Sequence, residues 1–341
     1  MQTEGPQAPR PRKTELRELE IEPEDAGGTL KDVLVDRVID LSTGAIHRLL
    51  KDALVMIGDE PCAGNRVVKA GEVYRFEVEE EAGVQLVPAP LDGFEVLYED
   101  EACMVVAKPS GVGVTADRGS TDAPFLSACL HHLEAGSGEG RTPRPRVVHR
   151  LDKETSGAVV LAKSREALRS LTSQFTKRKV EKEYAALVHG VPHRVDGVID
   201  LPIGYELRSN KLRAGGRDAR PARTQYVVAE RFRGYSLLHV MPLTGRQHQI
   251  RIHLEAVGHP LVVDKSYGDR QELLLSSFKK NYRPNRRRIE RPLLDRLALH
   301  ARRLKFESPA TGETVEVVAE YPKDLAVTLK QLRKWAAPHR R

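Results

Sequence analysis

The 341-residue sequence lacks several features that define common protein classes. It has only three cysteines, Cys62, Cys103 and Cys129, which lie far apart and form no Cys-x-x-Cys pair. This spacing excludes a disulfide framework and a zinc knuckle, and it is typical of a reducing compartment. No run of about 18 apolar residues is present, so we expect no membrane span. Because the polar, proline-rich N-terminus has no apolar signal-peptide core, we expect a cytoplasmic protein.

Motifs for cofactors are missing as well. The sequence has no G-x-x-x-x-G-K-[ST] loop, and the glycines at 136, 138 and 140 precede no helical pattern, which argues against a nucleotide cofactor. His248 and His253 are five residues apart, without a carboxylate cluster, so they do not share a helix face as zinc-protease histidines do. No Ser or Cys lies in a nucleophile-elbow context. We therefore expect neither a metal nor a cofactor.

The charge of the chain fits a polyanionic partner. Lys and Arg number 55 against 48 Asp and Glu, which gives a formal net charge of +7. A basic surface by itself is weak evidence for nucleic-acid binding. The length is sufficient for one large domain and one small domain, each with its own core.

Patterning along the chain predicts four parts. Residues 1–27 show no periodicity, and we expect a mostly disordered tail. Residues 28–80 contain two short helical patterns followed by strands, a module near the lower size limit of independent folding. Residues 81–93 have the prolines and glycine of a linker. Strand and helix patterns then mix irregularly over 94–341, which predicts an α+β domain with a mixed, largely antiparallel sheet rather than a doubly wound parallel sheet.

The second helix of the small module has a basic face. The helix opens at Ser42, a good N-cap, and buries Ile46 and Leu49, while Arg48 and Lys51 lie on its other face. By spacing alone, this face is a solvated helix surface. The order of elements resembles the small RNA-binding module of ribosomal protein S-four type, and this resemblance implies that Arg48 and Lys51 contact RNA backbone.

One short carboxylate stands out at residues 146–157. Asp152 follows His149 and Arg150 and precedes Lys153, just before an apolar run at 158–162. Neighbouring cations favour the ionised form of a carboxylate. An ionised, held carboxylate can act as a base, a metal ligand or a nucleophile, and this segment alone leaves all three roles open.

Two further segments contain residues capable of chemistry. Residues 182–190 alternate as a strand, and for Tyr184 the periodicity alone favours a core position. Residues 244–254 form a basic helical pattern that ends near Gly258. Buried charge is costly, so some of its basic residues must face an anion. These residues are Arg246, His248, Arg251 and His253.

Five motifs, in order over roughly residues 94–330, resemble those of the RluA-type pseudouridine synthases. They are His149–Gly157; Glu99–Asp100 with Lys108–Gly111; Lys182–Tyr184; Gly245–Arg251 continuing to Asp264 and Tyr267–Gly268; and Leu297–Ala301 with Leu304 and Phe306. The chain departs from the family at Val263, where glycine is usual.

This resemblance implies an isomerase that converts uridine in RNA to pseudouridine. It implies that Asp152 is the nucleophile, that Tyr184 packs on the flipped base and assists proton removal, and that Arg251 pairs with Asp152. The resemblance does not decide whether Asp152 attacks the sugar, attacks the base or acts as a base. The expected substrate-binding residues are Arg150, which fills the gap in the RNA helix or holds phosphate, Leu299, which lines the uracil pocket, Arg246 and His248.

We expect RNA as the partner, in particular large-subunit ribosomal RNA, because family members with an extra N-terminal module commonly act there. The expected oligomeric state is a monomer. Basic segments at 206–224 and 279–291 are interpreted as RNA-contacting loops, although charge runs are often only solvated. The alternatives are a synthase acting on transfer RNA, a non-catalytic RNA-binding or ribosome-assembly protein, and a nucleoside glycosidase that releases free uracil.

Overall fold

The computed structural model contains two compact units. The smaller unit carries the first four strands and most of the first two helices, and the larger unit comprises the chain from Leu86 onward together with residues 36–38. The residues that the structure describes are 14–23, 25–38, 43–79, 86–115, 123–136, 142–209, 211–268, 270–283 and 289–338.

The smaller unit packs two helices against an antiparallel sheet with strand order β1-β4-β2-β3. Its core contains Leu30, Val33 and Leu34 from the first helix, and Tyr74 and Phe76 from β4, all nearly inaccessible to solvent. The elements are β1 Thr14–Glu20, α1 Leu30–Arg37, α2 Thr43–Lys51, β2 Val55–Ile57, β3 Glu60–Pro61 and β4 Val73–Glu79.

The first strand corrects the expectation of a disordered tail over residues 1–27. Strand β1 pairs with β4 over its whole length, and Glu18 forms an ion pair with Arg75 at 2.8 Å. Local patterning misses this strand because its stability comes from pairing with a segment more than fifty residues away, and its Leu16 is exposed. Residues 1–13 and the predicted N-cap Ser42 lie outside the described residues.

The larger unit is built on a ten-stranded sheet with strand order β10-β14-β15-β9-β16-β8-β6-β5; β17 pairs with β16, and β7 with β8. All of its strand pairs are antiparallel except β8 with β16. The predicted α+β class with a mixed, largely antiparallel sheet is therefore confirmed. A separate three-stranded sheet has the order β12-β11-β13.

The strands of the larger unit are β5 Glu95–Glu99, β6 Cys103–Lys108, β7 Arg146–Val147, β8 Ser156–Ala162, β9 Glu181–His189, β10 Asp196–Asp200, β11 Ile203–Tyr205, β12 Leu212–Ala214, β13 Arg217–Arg220, β14 Arg223–Phe232, β15 Tyr235–Pro242, β16 Leu299–Glu307 and β17 Thr314–Val318. Its helices are α3 Pro124–Gly136, α4 Arg165–Thr176, α5 Gln249–Ala256 and α6 Lys323–Trp335, with a 3-10 turn at Leu275–Ser277.

Helices cover both faces of the central strands, which explains why every residue of β8 is buried. On one face, α3 and α5 pack against alternate residues such as Val159 of β8 and Ala186 of β9. On the other face, α4 and α6 pack against Val160 and Leu187. Successive strand residues point to opposite faces, so Tyr184 shares the face of Ala186.

The segment expected to be a linker, 81–93, contributes its second half to the larger unit. Leu91 packs against the cluster around α3, and the Ala89 amide donates to the Ser127 carbonyl at 3.4 Å. Residues 80–85 lie outside the described residues.

Gly157 is required by the close approach of the one parallel strand pair. It lies opposite Ala301 of β16 with φ of +118°, and a Cβ at this position would stand 2.2 Å from the Ala301 carbonyl oxygen. Any side chain at this position would push β8 and β16 apart. Strand β8 follows the Asp152 loop, and β16 carries Leu299. The glycine that closes the His149–Gly157 motif therefore has a steric reason.

We predict that Gly157→Ala lowers the free energy of unfolding by about 3 kcal/mol, because the methyl group overlaps backbone and the positive φ is strained. Chemical denaturation measures this change. Gly136→Ala is the matched control, since a Cβ at 136 meets nothing within 4 Å. Its stability should change by less than about 1 kcal/mol. Equal effects of the two substitutions would contradict the steric explanation.

Candidate active site

Asp152 lies in the loop between β7 and β8, and a second loop holds its backbone. The Lys153 carbonyl accepts hydrogen bonds from the Gly111 amide at 2.9 Å and from Lys108 Nζ at 3.0 Å. The Ser110 hydroxyl donates to the Glu154 carbonyl at 2.6 Å. These bonds bring together two motifs that are more than forty residues apart in the sequence, and they restrict the backbone that carries the carboxylate.

Lys108 joins the two loops through a buried ammonium group. The side chain is almost fully buried, and besides Lys153 its Nζ donates to the carbonyls of Pro109 at 2.8 Å and Val112 at 2.6 Å. Burial lowers the pKa of Lys108 to about 7, although the charges of Glu154 and Asp152 oppose this shift. Three carbonyl oxygens match the three N–H donors of an ammonium group, so the geometry favours the charged form.

Arg251, on α5, connects Asp152 to a second carboxylate. Its Nε and Nη2 donate to the two oxygens of Asp264 at 2.8 and 2.7 Å, and its Nη1 lies 3.4 Å from Asp152 Oδ2. The Asp264 side chain is 1% exposed and that of Asp152 is 27% exposed. The buried carboxylate therefore fixes the guanidinium, while the accessible carboxylate faces the remaining nitrogen.

Asp264 is fully satisfied as an anion. Besides Arg251, it accepts the backbone N–H groups of Ser266 at 2.9 Å and Tyr267 at 3.0 Å. Burial alone would raise the pKa of the Asp264 carboxyl, but the hydrogen bonds and charge of Arg251 outweigh burial and hold the pKa below its usual value. Asp264 therefore stays ionised and keeps Arg251 in place.

Tyr267 and His248 complete the surroundings of the guanidinium. The Tyr267 ring centre lies 5.0 Å from Arg251 Cζ, and the Tyr267 hydroxyl lies 3.0 Å from His248 Nδ1. His248 precedes α5 in the left-handed conformation, with φ of 55°. Burial lowers the pKa of His248, which favours its neutral form, while the charge of Asp152 acts in the opposite direction.

Tyr184, on β9, packs where the clusters around α3 and α5 meet. It contacts the cluster that contains Leu151 and the cluster that contains Leu299. Burial raises the pKa of the Tyr184 phenol, and the negative charge of Asp152 raises the pKa further. The phenol is therefore neutral at physiological pH, which suits a packing role better than that of a phenolate base.

The remaining predicted site residues occupy different environments. Leu299 is buried beside Tyr184, whereas Arg150 is exposed. Arg246 is partly exposed, and its Nε donates to the Pro221 carbonyl at 3.2 Å. In the smaller unit, Arg48 and Lys51 are exposed on α2. The structure thus brings Asp152, Arg251, Tyr184, His248 and Leu299 together and places the other cations on surfaces.

One histidine corrects the sequence interpretation, and a second is buried in a similar way. His149, expected as a cation near Asp152, is buried; its Nε2 accepts the Val160 amide at 3.0 Å, and its ring stacks on Phe175. Burial lowers the pKa of His149 to about 3, so the ring is neutral. His253 is also buried, and its Nε2 lies 2.9 Å from the Leu201 carbonyl. Both rings satisfy backbone groups instead of facing an anion.

Sequence reasoning did not identify a polar network behind the Asp152 loop. The Ser156 hydroxyl lies 3.0 Å from His300 Nδ1, and His300 Nε2 lies 3.2 Å from the Ala319 carbonyl. A carbonyl only accepts, so Nε2 carries the proton and Nδ1 accepts from Ser156. Arg296 donates to Ser156 at 3.3 Å and forms two 2.6 Å bonds with Asp324. The sign of this network in the sequence is that His300 lies within the fifth motif, Leu297–Ala301.

We predict a pH dependence of stability from His300. Burial lowers its pKa from 6.5 to about 4, so the unfolded chain takes up the proton first as the pH falls. The free energy of unfolding should therefore fall by about 3 kcal/mol for this group between about pH 6.5 and pH 4. Denaturation at a series of pH values measures the slope. His300→Asn should show a shallower slope, and an unchanged slope would show that His300 titrates normally.

Val263, just before Asp264, adopts an unusual backbone conformation. Its φ is +58°, and its side chain is 1% exposed. A β-branched residue in the left-handed region is strained, whereas the glycine usual in the family is not. Burial in the cluster around α6 offsets part of this strain.

The described residues contain neither a membrane-spanning helix nor a cluster of metal ligands. No helix there is long and apolar enough to cross a membrane. Within the same residues, no group of three or more His, Cys, Asp or Glu is arranged to hold a metal ion.

Comparisons with known proteins identify the family. The family model for RNA pseudouridylate synthase matches residues 102–256. An uncharacterized RNA pseudouridine synthase of Aquifex aeolicus is 34% identical over 333 residues, which cover 96% of this chain and 98% of that protein. The ribosomal large subunit pseudouridine synthase D of Vibrio parahaemolyticus is 34% identical over 311 residues, which cover 90% of this chain and 92% of that protein.

A solved structure agrees with these relatives. Human RNA pseudouridylate synthase domain containing 4 aligns with a TM-score of 0.54 and 28% identity, covering 70% of this chain and 92% of that chain. The chain belongs to the RNA pseudouridine synthase family. It is therefore an isomerase that acts on RNA, as the five motifs predict.

Proposed function

We propose that this enzyme isomerises specific uridines of large-subunit ribosomal RNA, with Asp152 as the nucleophile. The observation that carries the proposal is the contact between Asp152 and Arg251. It places a partly exposed carboxylate 3.4 Å from a guanidinium that Asp264 already holds through two bonds. The Asp152 carboxylate is accessible to substrate, and the guanidinium beside it stays in place because Asp264 holds it.

During the reaction the uracil is detached from the ribose and has to stay in the site until it is rejoined. The bond between uracil N1 and the ribose C1′ breaks, a bond between C5 and C1′ forms, the C5 proton is lost and N1 gains a proton. The ionised Asp152 can attack C1′ as retaining glycosidases do, or it can add to the base. In either route the carboxylate is released when the new C–C bond is complete, so no further reactant is consumed.

Tyr184 and Leu299 supply the apolar wall for this base. A uridine stacked in RNA hides its glycosidic bond, so the nucleotide has to be extruded at a cost of about a few kcal/mol. The neutral phenol ring of Tyr184 packs against the flipped uracil, and Leu299 lies beside it. An enclosed apolar wall keeps the detached base in place and excludes water.

Cations around the carboxylate hold the flanking RNA. Arg150 is exposed two residues before Asp152, where it can fill the gap left by the flipped nucleotide or bind phosphate. Arg246 and the neutral His248 lie just before α5 and also bind the substrate. Each of these contacts is expected to affect substrate binding more than the chemical step.

The choice of ribosomal RNA rests on relatives and on the smaller unit. Relatives named as ribosomal large subunit pseudouridine synthase D cover nearly the whole chain. The exposed basic face of α2, with Arg48 and Lys51, suits an S-four-type module that contacts RNA backbone. We propose that the enzyme acts as a monomer in the cytoplasm, with the smaller unit, β1 included, as an RNA-binding domain and the larger unit, including residues 86–93, as the catalytic domain.

We predict that Asp152→Asn abolishes pseudouridine formation, because the amide is a poor nucleophile and a poor base. The assay maps pseudouridines in total RNA incubated with purified protein, and RNA binding is measured in parallel. The matched control is Asp196→Asn, which alters an exposed carboxylate on the edge strand β10 and should retain full activity.

Each outcome of this assay distinguishes a hypothesis. Turnover by Asp152→Asn would remove Asp152 from the chemistry. RNA binding without any pseudouridine, even for the unaltered protein, would indicate a non-catalytic RNA-binding protein. Release of free uracil would indicate a glycosidase, and modification of transfer RNA alone would contradict the ribosomal target.

A further inference from the structure

A second basic surface, distinct from the candidate active site, surrounds the only tryptophan of the chain. Trp335 ends α6 and is half-buried. Lys279 Nζ lies 4.3 Å from the centre of its ring and Lys334 Nζ lies 4.9 Å from it. Lys279 also lies over Tyr282, at 5.9 Å. We call this set the Trp335 patch; it comprises Lys279, Tyr282, Lys334 and Trp335.

The two segments of the patch are joined through Arg233, which donates hydrogen bonds to backbone carbonyls of both. Arg233 Nη2 donates to the Phe278 carbonyl at 3.0 Å and to the Trp335 carbonyl at 2.8 Å, and the Arg233 amide donates to Ala336 at 2.7 Å. The indole Nε1 donates to the Gln331 side chain at 3.1 Å. Arg233 therefore fixes the segment that leads into Lys279 against the end of α6. The two ammonium groups are thus held close together by the backbone of the folded protein.

The two lysines on the indole, Lys279 and Lys334, have no carboxylate partner in the part of the chain that the structure describes. The neighbouring Arg333 is paired with Glu230 at 2.6 Å. The Glu290 carboxylate accepts the Ser276 amide and a hydrogen bond from the Tyr282 hydroxyl, so it lies at the edge of the patch without forming an ion pair with either lysine. Two ammonium groups thus lie on one indole with no ion-pair partner among the described residues, an arrangement that favours an external anion.

The patch lies on the opposite side of the sheet from the base-binding residues. Helix α6 packs against Ala185 and Leu187 of β9, whereas Tyr184 points to the other face. A ligand of the patch is therefore remote from the reacting nucleotide. It also has to be long if the same molecule occupies the candidate active site.

We propose that the Trp335 patch binds backbone phosphates of the RNA substrate at a distance from the modified uridine. The aromatic faces are occupied by the lysines, so the patch offers positive charge rather than a platform for stacked bases. A lysine ammonium is a compact point charge suited to single phosphate oxygens. The contact is independent of sequence and adds affinity only for RNA long enough to reach it. The proposal rests on the assignment of RNA as the substrate.

The first test compares RNA length and salt dependence. Lys279→Ala/Lys334→Ala should bind a long fragment of large-subunit ribosomal RNA about 10-fold more weakly than the unaltered protein, with a salt slope shallower by about 1.5 for two lost contacts. Binding of a single short hairpin and turnover at saturating RNA should not change. The control, Lys177→Ala/Lys323→Ala, removes two exposed lysines elsewhere and should behave as the unaltered protein.

The second test uses the tryptophan itself. Because Trp335 is the only tryptophan, its fluorescence reports on the patch alone. When the long RNA is titrated in, the emission should change with the same midpoint as RNA binding. The short hairpin should leave the emission unchanged. An unchanged emission, or a salt slope equal to that of the control, would overturn the proposal. Failure of the unaltered protein to form pseudouridine, with the emission change intact, would instead count against the proposed function.

Discussion

The buried ion pair between Arg251 and Asp264 is the interaction on which the candidate active site depends. A buried pair of charges is tolerated when both groups are satisfied, and removal of one partner leaves an uncompensated charge. Asp264 binds two nitrogens of the guanidinium and two backbone amides, so it fixes the direction of the third nitrogen. That nitrogen faces Asp152. The geometry of Asp152, the proposed nucleophile, therefore follows from a carboxylate that is itself inaccessible to substrate.

The rest of the larger unit brings the two ends of this contact together. The backbone of Asp152 is held by Lys108 and the loop that follows it, and Ser156 connects the same loop to His300. Gly157 lets β16 approach β8 closely, and the pairing of β16 with β9 places Leu299 near Tyr184. The strained backbone at Val263 precedes Asp264 directly, which indicates that the turn conformation is kept despite an unfavourable residue.

Much of this arrangement could be predicted from the sequence because the motifs contain residues with strong local requirements. The strand carrying Tyr184 and the helix carrying Arg251 follow from periodicity. The neutral state of His149 and the role of His300 could not be predicted, since each depends on burial against segments distant in the chain. Strand β1 was missed for the same reason. Charge patterning placed Lys279 of the Trp335 patch in a basic segment but did not indicate that Lys279 lies on Trp335.

The most direct test of the central claim is the single-turnover rate of Arg251→Lys. A lysine keeps the positive charge beside Asp264, so we expect the protein to fold and to bind RNA with unchanged affinity. A single ammonium group cannot reproduce the bidentate bond and also face Asp152. The rate of pseudouridine formation at saturating RNA should therefore fall by about 100-fold, as expected for a misplaced reacting group. A rate equal to that of the unaltered enzyme would contradict the claim that this geometry positions the nucleophile.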